Sequence, residues 1–133
     1  MTNKKYPIHK SDEDWKKILS PKDFHIMRDK GTESPFTGKY NEHFEHGVYI
    51  CKGCKQELYE SKSKFESGCG WPSYDRSLPD SIEYIKDKTH GMIRTEILCS
   101  NCGSHQGHIF EDGPTNTSKR YCVYSASIEF KPD

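Results

Sequence analysis

Gly47-Val-Tyr-Ile-Cys-Lys-Gly-Cys54 and Met92-Ile-Arg-Thr-Glu-Ile-Leu-Cys-Ser-Asn-Cys102 share one pattern, a run of β-forming residues that ends in Cys-x-x-Cys. Such runs, bounded by turn residues, predict strands; in the second, Ile93, Thr95 and Ile97 share a face. Each Cys-x-x-Cys turn presents two sulfurs side by side. Two such turns, Cys51/Cys54 and Cys99/Cys102, can close a tetrahedron around one ion. Thiolate donors select zinc or an iron–sulfur centre. With four positions filled by protein there is none left for water, so the expected site is one structural zinc ion. Residues 55–98 separate the pairs, so the ion would clamp two distant strands. The competing reading is a redox-active Cys-x-x-Cys, but neither pair sits at a strand-to-helix turn of a βαβ unit.

Working outward, Ser11-Asp-Glu-Asp14 has the form of a helix start, with Trp15, Ile18 and Leu19 at helical spacing. A second helix is expected to open at Ser20 with Pro21 in its first position, to bury Phe24 and Met27, and to stop at Gly31. From there to the end the chain reads as short extended runs. The last, about Arg120 to Phe130, is expected as one strand with Cys122, Tyr124, Ala126, Ile128 and Phe130 on a common face. The class is mainly β with short N-terminal helices, a flexible tail over residues 1–10 and a single domain over 11–133.

Only 32% of the 133 residues are hydrophobic, and two Trp, eight Tyr and six Phe supply much of that. A structural metal would reinforce so thin a core. Lys+Arg and Asp+Glu balance at 20 each, which argues against nucleic acid as partner. No apolar stretch is long enough to span a membrane. Met1-Thr-Asn-Lys-Lys-Tyr-Pro7 lacks the apolar run of a secretory signal, so the expected compartment is the cytoplasm. In a reducing compartment three disulfides are disfavoured for the six cysteines.

If zinc takes four sulfurs, Cys69 and Cys122 remain. Cys69 lies in the glycine-rich Ser67-Gly-Cys-Gly-Trp-Pro-Ser73, with Trp71 offering an apolar face. Cys122 follows Arg120 on an alternating strand, so the guanidinium would favour a thiolate there. The plain alternative is a small buried hydrophobe, the commonest state of a free cysteine. His105 and His108, in Ser104-His-Gln-Gly-His-Ile-Phe110, can supply protons near neutral pH. The turn Glu111-Asp112-Gly113-Pro114 carries acceptors able to orient an imidazole. His43 and His46 have no evident partner and read as surface residues. A thiol-redox site and a zinc-ribbon-like binding module with two inert thiols both remain open at this point.

From residue 10 to residue 130 the chain resembles the B-type methionine-R-sulfoxide reductases. The resemblance rests on Gly31-Thr-Glu-Ser-Pro-Phe-Thr-Gly38, the two Cys-x-x-Cys pairs and Lys64-Phe-Glu-Ser-Gly-Cys-Gly-Trp-Pro-Ser73. It continues through Gly91-Met-Ile-Arg-Thr-Glu96, His105-Gln-Gly-His-Ile-Phe110, Asp112-Gly-Pro114 and Arg120-Tyr-Cys122. It implies two antiparallel β-sheets with peripheral N-terminal helices. It implies Cys122 as nucleophile, Cys69 as recycling cysteine, and His105 and His108 as active-site histidines supported by Asp112 and Arg120. It places Trp71 against the substrate and Cys51, Cys54, Cys99 and Cys102 on zinc; Phe110 and Tyr124 are further substrate-binding candidates. The implied cycle runs from a Cys122 sulfenic acid to a Cys69–Cys122 disulfide that thioredoxin reduces, in a monomeric enzyme. Tyr124 departs from the Asn common in the family and is expected to border the pocket.

Overall fold

A computed structural model describes residues 6–133, so half of the expected tail lies outside the described residues. The described part of that tail is docked: Ile8 N–H donates to Asn101 O (2.9 Å), and Tyr6 Oη donates to Glu83.

Helix α1, Asp12–Ile18, starts where Ser11 Oγ accepts from Asp14 N–H. Helix α2, Pro21–Arg28, starts where Ser20 Oγ accepts from Asp23 N–H. Each cap satisfies a donor that the first turn leaves open. Trp15 and Leu19 are buried, but Ile18 is 55% exposed, because the chain leaves the helix at Leu19 and turns that side chain inward. Phe24, Ile26 and Met27 form the buried face of α2. The expected stop at Gly31 comes one residue early, at Lys30 with φ 57°. Gly31 instead leaves room for the His25 ring, which would lie 2.3 Å from a Cβ there and would have to turn away.

Nine strands follow: β1 Gly47–Cys51, β2 Glu57–Glu60, β3 Lys64–Phe65, β4 Ser73–Tyr74, β5 Ile82–Asp87, β6 Arg94–Cys99, β7 His105–Phe110, β8 Arg120–Val123 and β9 Ile128–Pro132. They form two antiparallel sheets, β2-β1-β9 and β3-β4-β8-β7-β6-β5. The architecture is therefore the mainly β, two-sheet fold with short N-terminal helices. The core is aromatic: Trp15, Tyr49, Tyr59 and Tyr74 are fully buried, with Tyr59 stacked on Tyr74 at 4.4 Å. His43 is not a bare surface residue, since it bonds Tyr49 Oη at 2.8 Å and packs on Phe130 at 4.3 Å. Among the described residues no helix is long and apolar enough to cross a membrane.

Two strands depart from expectation. The second Cys-x-x-Cys strand begins at Arg94, not Met92; a 3-10 turn, Thr89–Gly91, precedes it and leaves Ile93 74% exposed. The expected continuous strand from Arg120 to Phe130 is broken by a 3-10 turn at Ser125–Ser127. Glu33 causes the break. Its carboxylate accepts from Ser125 N–H (3.2 Å) and Ala126 N–H (2.9 Å), taking donors that a ladder would need. The chain thus passes from the six-stranded sheet to the three-stranded one directly after Cys122.

Candidate functional site

The four paired cysteines lie where β1 and β6, from different sheets, come together, and their sulfurs all fall within 4.8 Å of one another. Cys51 Sγ–Cys102 Sγ is 3.6 Å and Cys54 Sγ–Cys99 Sγ 3.5 Å. A tetrahedron with zinc–sulfur bonds of about 2.3 Å has an edge of about 3.8 Å, so the donor set and its size fit such an ion. Trp15 packs on the first turn at Gly53, and Arg28 lies over the Trp15 ring and donates to Cys102 O, which seats the helices against this cluster.

The other two cysteines meet across a cavity of about 390 Å³. Cys122, on β8, is 6% exposed and pairs directly with His108 of β7 on one side and Ser73 of β4 on the other. Cys69 is half-buried between Gly68 and Gly70, both at positive φ (76° and 99°), and its Sγ is 3.9 Å from Cys122 Sγ. Ser67 Oγ donates to Cys69 Sγ at 3.0 Å, and Ser73 Oγ lies 3.4 Å away. Contact with Cys122, aided by these hydroxyls, pulls the Cys69 thiol down to about 4. The same contact and burial push Cys122 up, with Arg120 acting in the opposite sense. The contact thus favours negative charge on Cys69 over Cys122.

His105 and His108 are three residues apart, a spacing that on a regular strand sends side chains to opposite faces. Both nevertheless line the cavity, with ring centroids 5.7 Å apart. The register between β6 and β7 shifts at Ile97/Leu98, opposite Gly107, whose φ is 147°. A Cβ on Gly107 would sit 2.0 Å from Cys122 O, so glycine lets the histidine strand approach the Cys122 strand.

Each imidazole is held by a buried carboxylate. Asp87 Oδ2 accepts from His108 Nε2 (2.8 Å), and Glu96 Oε2 accepts from His105 Nδ1 (2.6 Å). A cation stands behind each: Arg94 lies 3.5 Å from Asp87, and Lys30 lies 3.1 Å from Glu96. Bonds from His108 and Thr89 hold the Asp87 carboxyl well below the usual carboxylate range. Burial opposes ionisation of Glu96, but His105 and Lys30 outweigh it. Burial pushes His108 down, and Asp87 pulls it back up.

The expectation that Asp112 orients a histidine is corrected. Asp112 makes a two-pronged bond to Arg120, at 2.8 and 3.0 Å, and touches neither imidazole. Arg120 in turn lies over the Phe110 ring at 4.5 Å, and both line the cavity. Asp112 therefore fixes the guanidinium beside Cys122, and Asp87 and Glu96 take the role foreseen for it. For Glu96 the signal was faint: with Ile97 turned to the core, alternation leaves Arg94 and Glu96 on the opposite face of the same strand.

Trp71 is fixed by Nε1–H donating to Glu33 O at 2.9 Å. Tyr124 meets it edge-on at 5.9 Å and lies 5.6 Å from His105. Tyr124 borders the cavity although the strand ends at Val123; its N–H donates to Gln106 O. Apolar wall, two thiols and two carboxylate-held imidazoles can together bind a small apolar group, attack an electrophilic atom attached to it with sulfur and protonate the oxygen that this atom carries.

Comparison with known proteins gives a consistent result. Residues 19–132 match the SelR domain. Peptide methionine sulfoxide reductase MsrB of Variovorax paradoxus is 50% identical over 131 residues, covering 94% of this chain and 96% of that one. The MsrB of Methanosarcina barkeri is 51% identical over 127 residues, covering 95% and 89%. That of Acinetobacter baumannii is 51% identical over 125 residues, covering 93% and 90%.

Proposed function

From the premise that this chain belongs to the MsrB family of peptide methionine sulfoxide reductases, we propose that it acts on the R epimer through Cys122 and recovers its thiols through Cys69. It is an oxidoreductase that reduces methionine sulfoxide. The contact between Cys69 Sγ and Cys122 Sγ, inside a cavity lined by the two histidines, carries the finer reading.

Cys122 Sγ attacks the sulfoxide sulfur and forms a sulfur–sulfur bond. Arg120 favours charge on Cys122, and protonation of Cys69 removes the neighbour that opposes it. The sulfoxide oxygen takes a proton from the imidazoles. Asp87 occupies His108 Nε2, so Nδ1 is the atom left to exchange a proton with the substrate. Glu96 occupies His105 Nδ1 and leaves Nε2. The oxygen then passes to Cys122 sulfur, which is oxidised to sulfenic acid as methionine leaves reduced. Cys69 sulfur displaces that hydroxyl as water and closes a Cys69–Cys122 disulfide. Closure moves the sulfurs from 3.9 Å to about 2.05 Å, a shift the glycine-flanked loop can absorb. Thioredoxin restores both thiols by exchange. Cys51, Cys54, Cys99 and Cys102 would hold one zinc ion as a cross-link between the sheets, with no position open for chemistry. The enzyme works as a cytoplasmic monomer on free or protein-bound substrate.

Trp71 and Tyr124 face the substrate methyl while the histidines face its oxygen. The S epimer would place oxygen against Trp71, where a polar group without a partner loses about 1–3 kcal/mol. Turnover of separated epimers with thioredoxin should therefore favour R by roughly 5- to 150-fold. Equal rates, or a preference for S, would reject the assigned walls.

A further inference from the structure

Phe36 combines two unfavourable features at one position. Its φ is 66°, a region that bulky residues avoid, and its side chain is 66% exposed. It follows Pro35 in a turn, at the place where positive φ ordinarily selects glycine. Glycine there would relieve the backbone and remove an exposed ring, so neither backbone conformation nor solubility accounts for phenylalanine. Strained, exposed residues of this kind point to function when their surroundings fix them.

The surroundings do fix it, and they belong to the Cys69 loop. Phe36 N–H donates to Gly70 O at 2.7 Å. A Cβ on Gly70 would lie 2.6 Å from Pro35 and 3.2 Å from the Phe36 ring, so the turn rests directly on the residue after Cys69. In the Cys69–Cys122 disulfide of the proposed cycle only Cys69 offers a half-exposed sulfur, since Cys122 is buried. An outside thiolate must arrive at Cys69, and its carrier must then cover the rim on which Phe36 stands. Phe36 does not line the substrate cavity.

We propose that Phe36 is a docking anchor for the protein dithiol that reduces the disulfide, its ring entering an apolar patch around the partner's reactive cysteine. The inference rests on the recycling role given to Cys69. Exchange is balanced: the partner's first thiolate attacks Cys69 sulfur and releases Cys122 thiolate, and its second thiol closes the partner's disulfide and frees Cys69.

Phe36→Gly and Phe36→Asn, both tolerant of positive φ, provide the test, with thioredoxin and dithiothreitol as alternative reductants. Loss of an aromatic anchor should raise KM for thioredoxin roughly tenfold. Turnover with dithiothreitol and KM for sulfoxide should be unchanged, and Tm should be unchanged or higher. An unchanged KM for thioredoxin in both variants overturns the proposal. So does a rise in KM for protein-bound sulfoxide alone, which would assign the ring to substrate. Cys69→Ser separates the underlying reading: full thioredoxin-linked turnover in that variant would remove the recycling role itself, whatever Phe36 does.

Discussion

Replacing Asp87 with Asn preserves its size and removes its charge. The carboxylate accepts four contacts: His108 Nε2 at 2.8 Å, Thr89 N at 2.9 Å, Thr89 Oγ1 at 2.8 Å and Arg94 at 3.5 Å. Asparagine retains one acceptor for Thr89 but offers no negative charge to His108. A hydrogen bond to a charged group is worth about 1.5–3 kcal/mol, so the protonated imidazole becomes roughly 10- to 150-fold scarcer. Single-turnover reduction of R-sulfoxide, followed by quench at fixed times, should slow by that factor. The pH dependence has a definite sign. Burial already lowers the His108 pKa, and Asp87 acts to raise it. Removing Asp87 lowers it further, so the limb on which activity falls with rising pH should move to lower pH. Stability should respond in the matching sense: the folded Asp87 carboxyl is depressed, so its contribution is present at pH 7 and is lost as pH falls below the usual carboxylate range toward the depressed folded value. The stability gap between wild type and Asp87→Asn should therefore close in acid. Asp112→Asn is the control, because Asp112 bonds Arg120 and neither histidine. An Asp87→Asn enzyme with the wild-type rate and limb, alongside an Asp112→Asn enzyme whose limb moves, would refute this wiring.

Glu33 accepts two backbone N–H groups with its two carboxylate oxygens while buried, so Glu33→Gln must turn an NH2 group toward one donor. Leaving one buried donor unpaired costs about 1–3 kcal/mol, which thermal unfolding should register as a Tm lower by several degrees. The purified protein should carry about one zinc per chain, and stripping it with a strong chelator should lower Tm by roughly 10 °C or more, since the four cysteines that would hold the ion join strands of different sheets. Retention of full Tm after complete metal loss would remove the clamp from the account.

Features carried by neighbouring residues were legible in the chain. Ser11 and Ser20 announced their helices, and the two strands that run into Cys-x-x-Cys placed the cysteine cluster. Cys69, Cys122 and the histidine pair stood apart by context. What escaped were features set by distant partners. Alternation from Cys122 to Phe130 suggested one strand, but Glu33 takes the amides that would have continued it, from 92 positions away along the chain. Asp87 and Glu96 could not be assigned as histidine partners because their contacts depend on strand order and on the bulge at Gly107. The Asp112 expectation failed for the same reason: proximity in sequence pointed to a histidine, whereas the β7–β8 pairing brings Phe110 opposite Arg120 and sets the following turn beside its guanidinium.

The central claim is that Cys122 attacks and Cys69 recovers it. The most direct measurement gives the reduced, metal-loaded protein one equivalent of methionine-R-sulfoxide without a reductant, traps free thiols and maps the products by mass. A single disulfide joining Cys69 to Cys122, with one methionine released per chain and Cys51, Cys54, Cys99 and Cys102 still paired with metal, is the predicted result. A disulfide within either Cys-x-x-Cys, or methionine formed while Cys122 stays a free thiol, would contradict it.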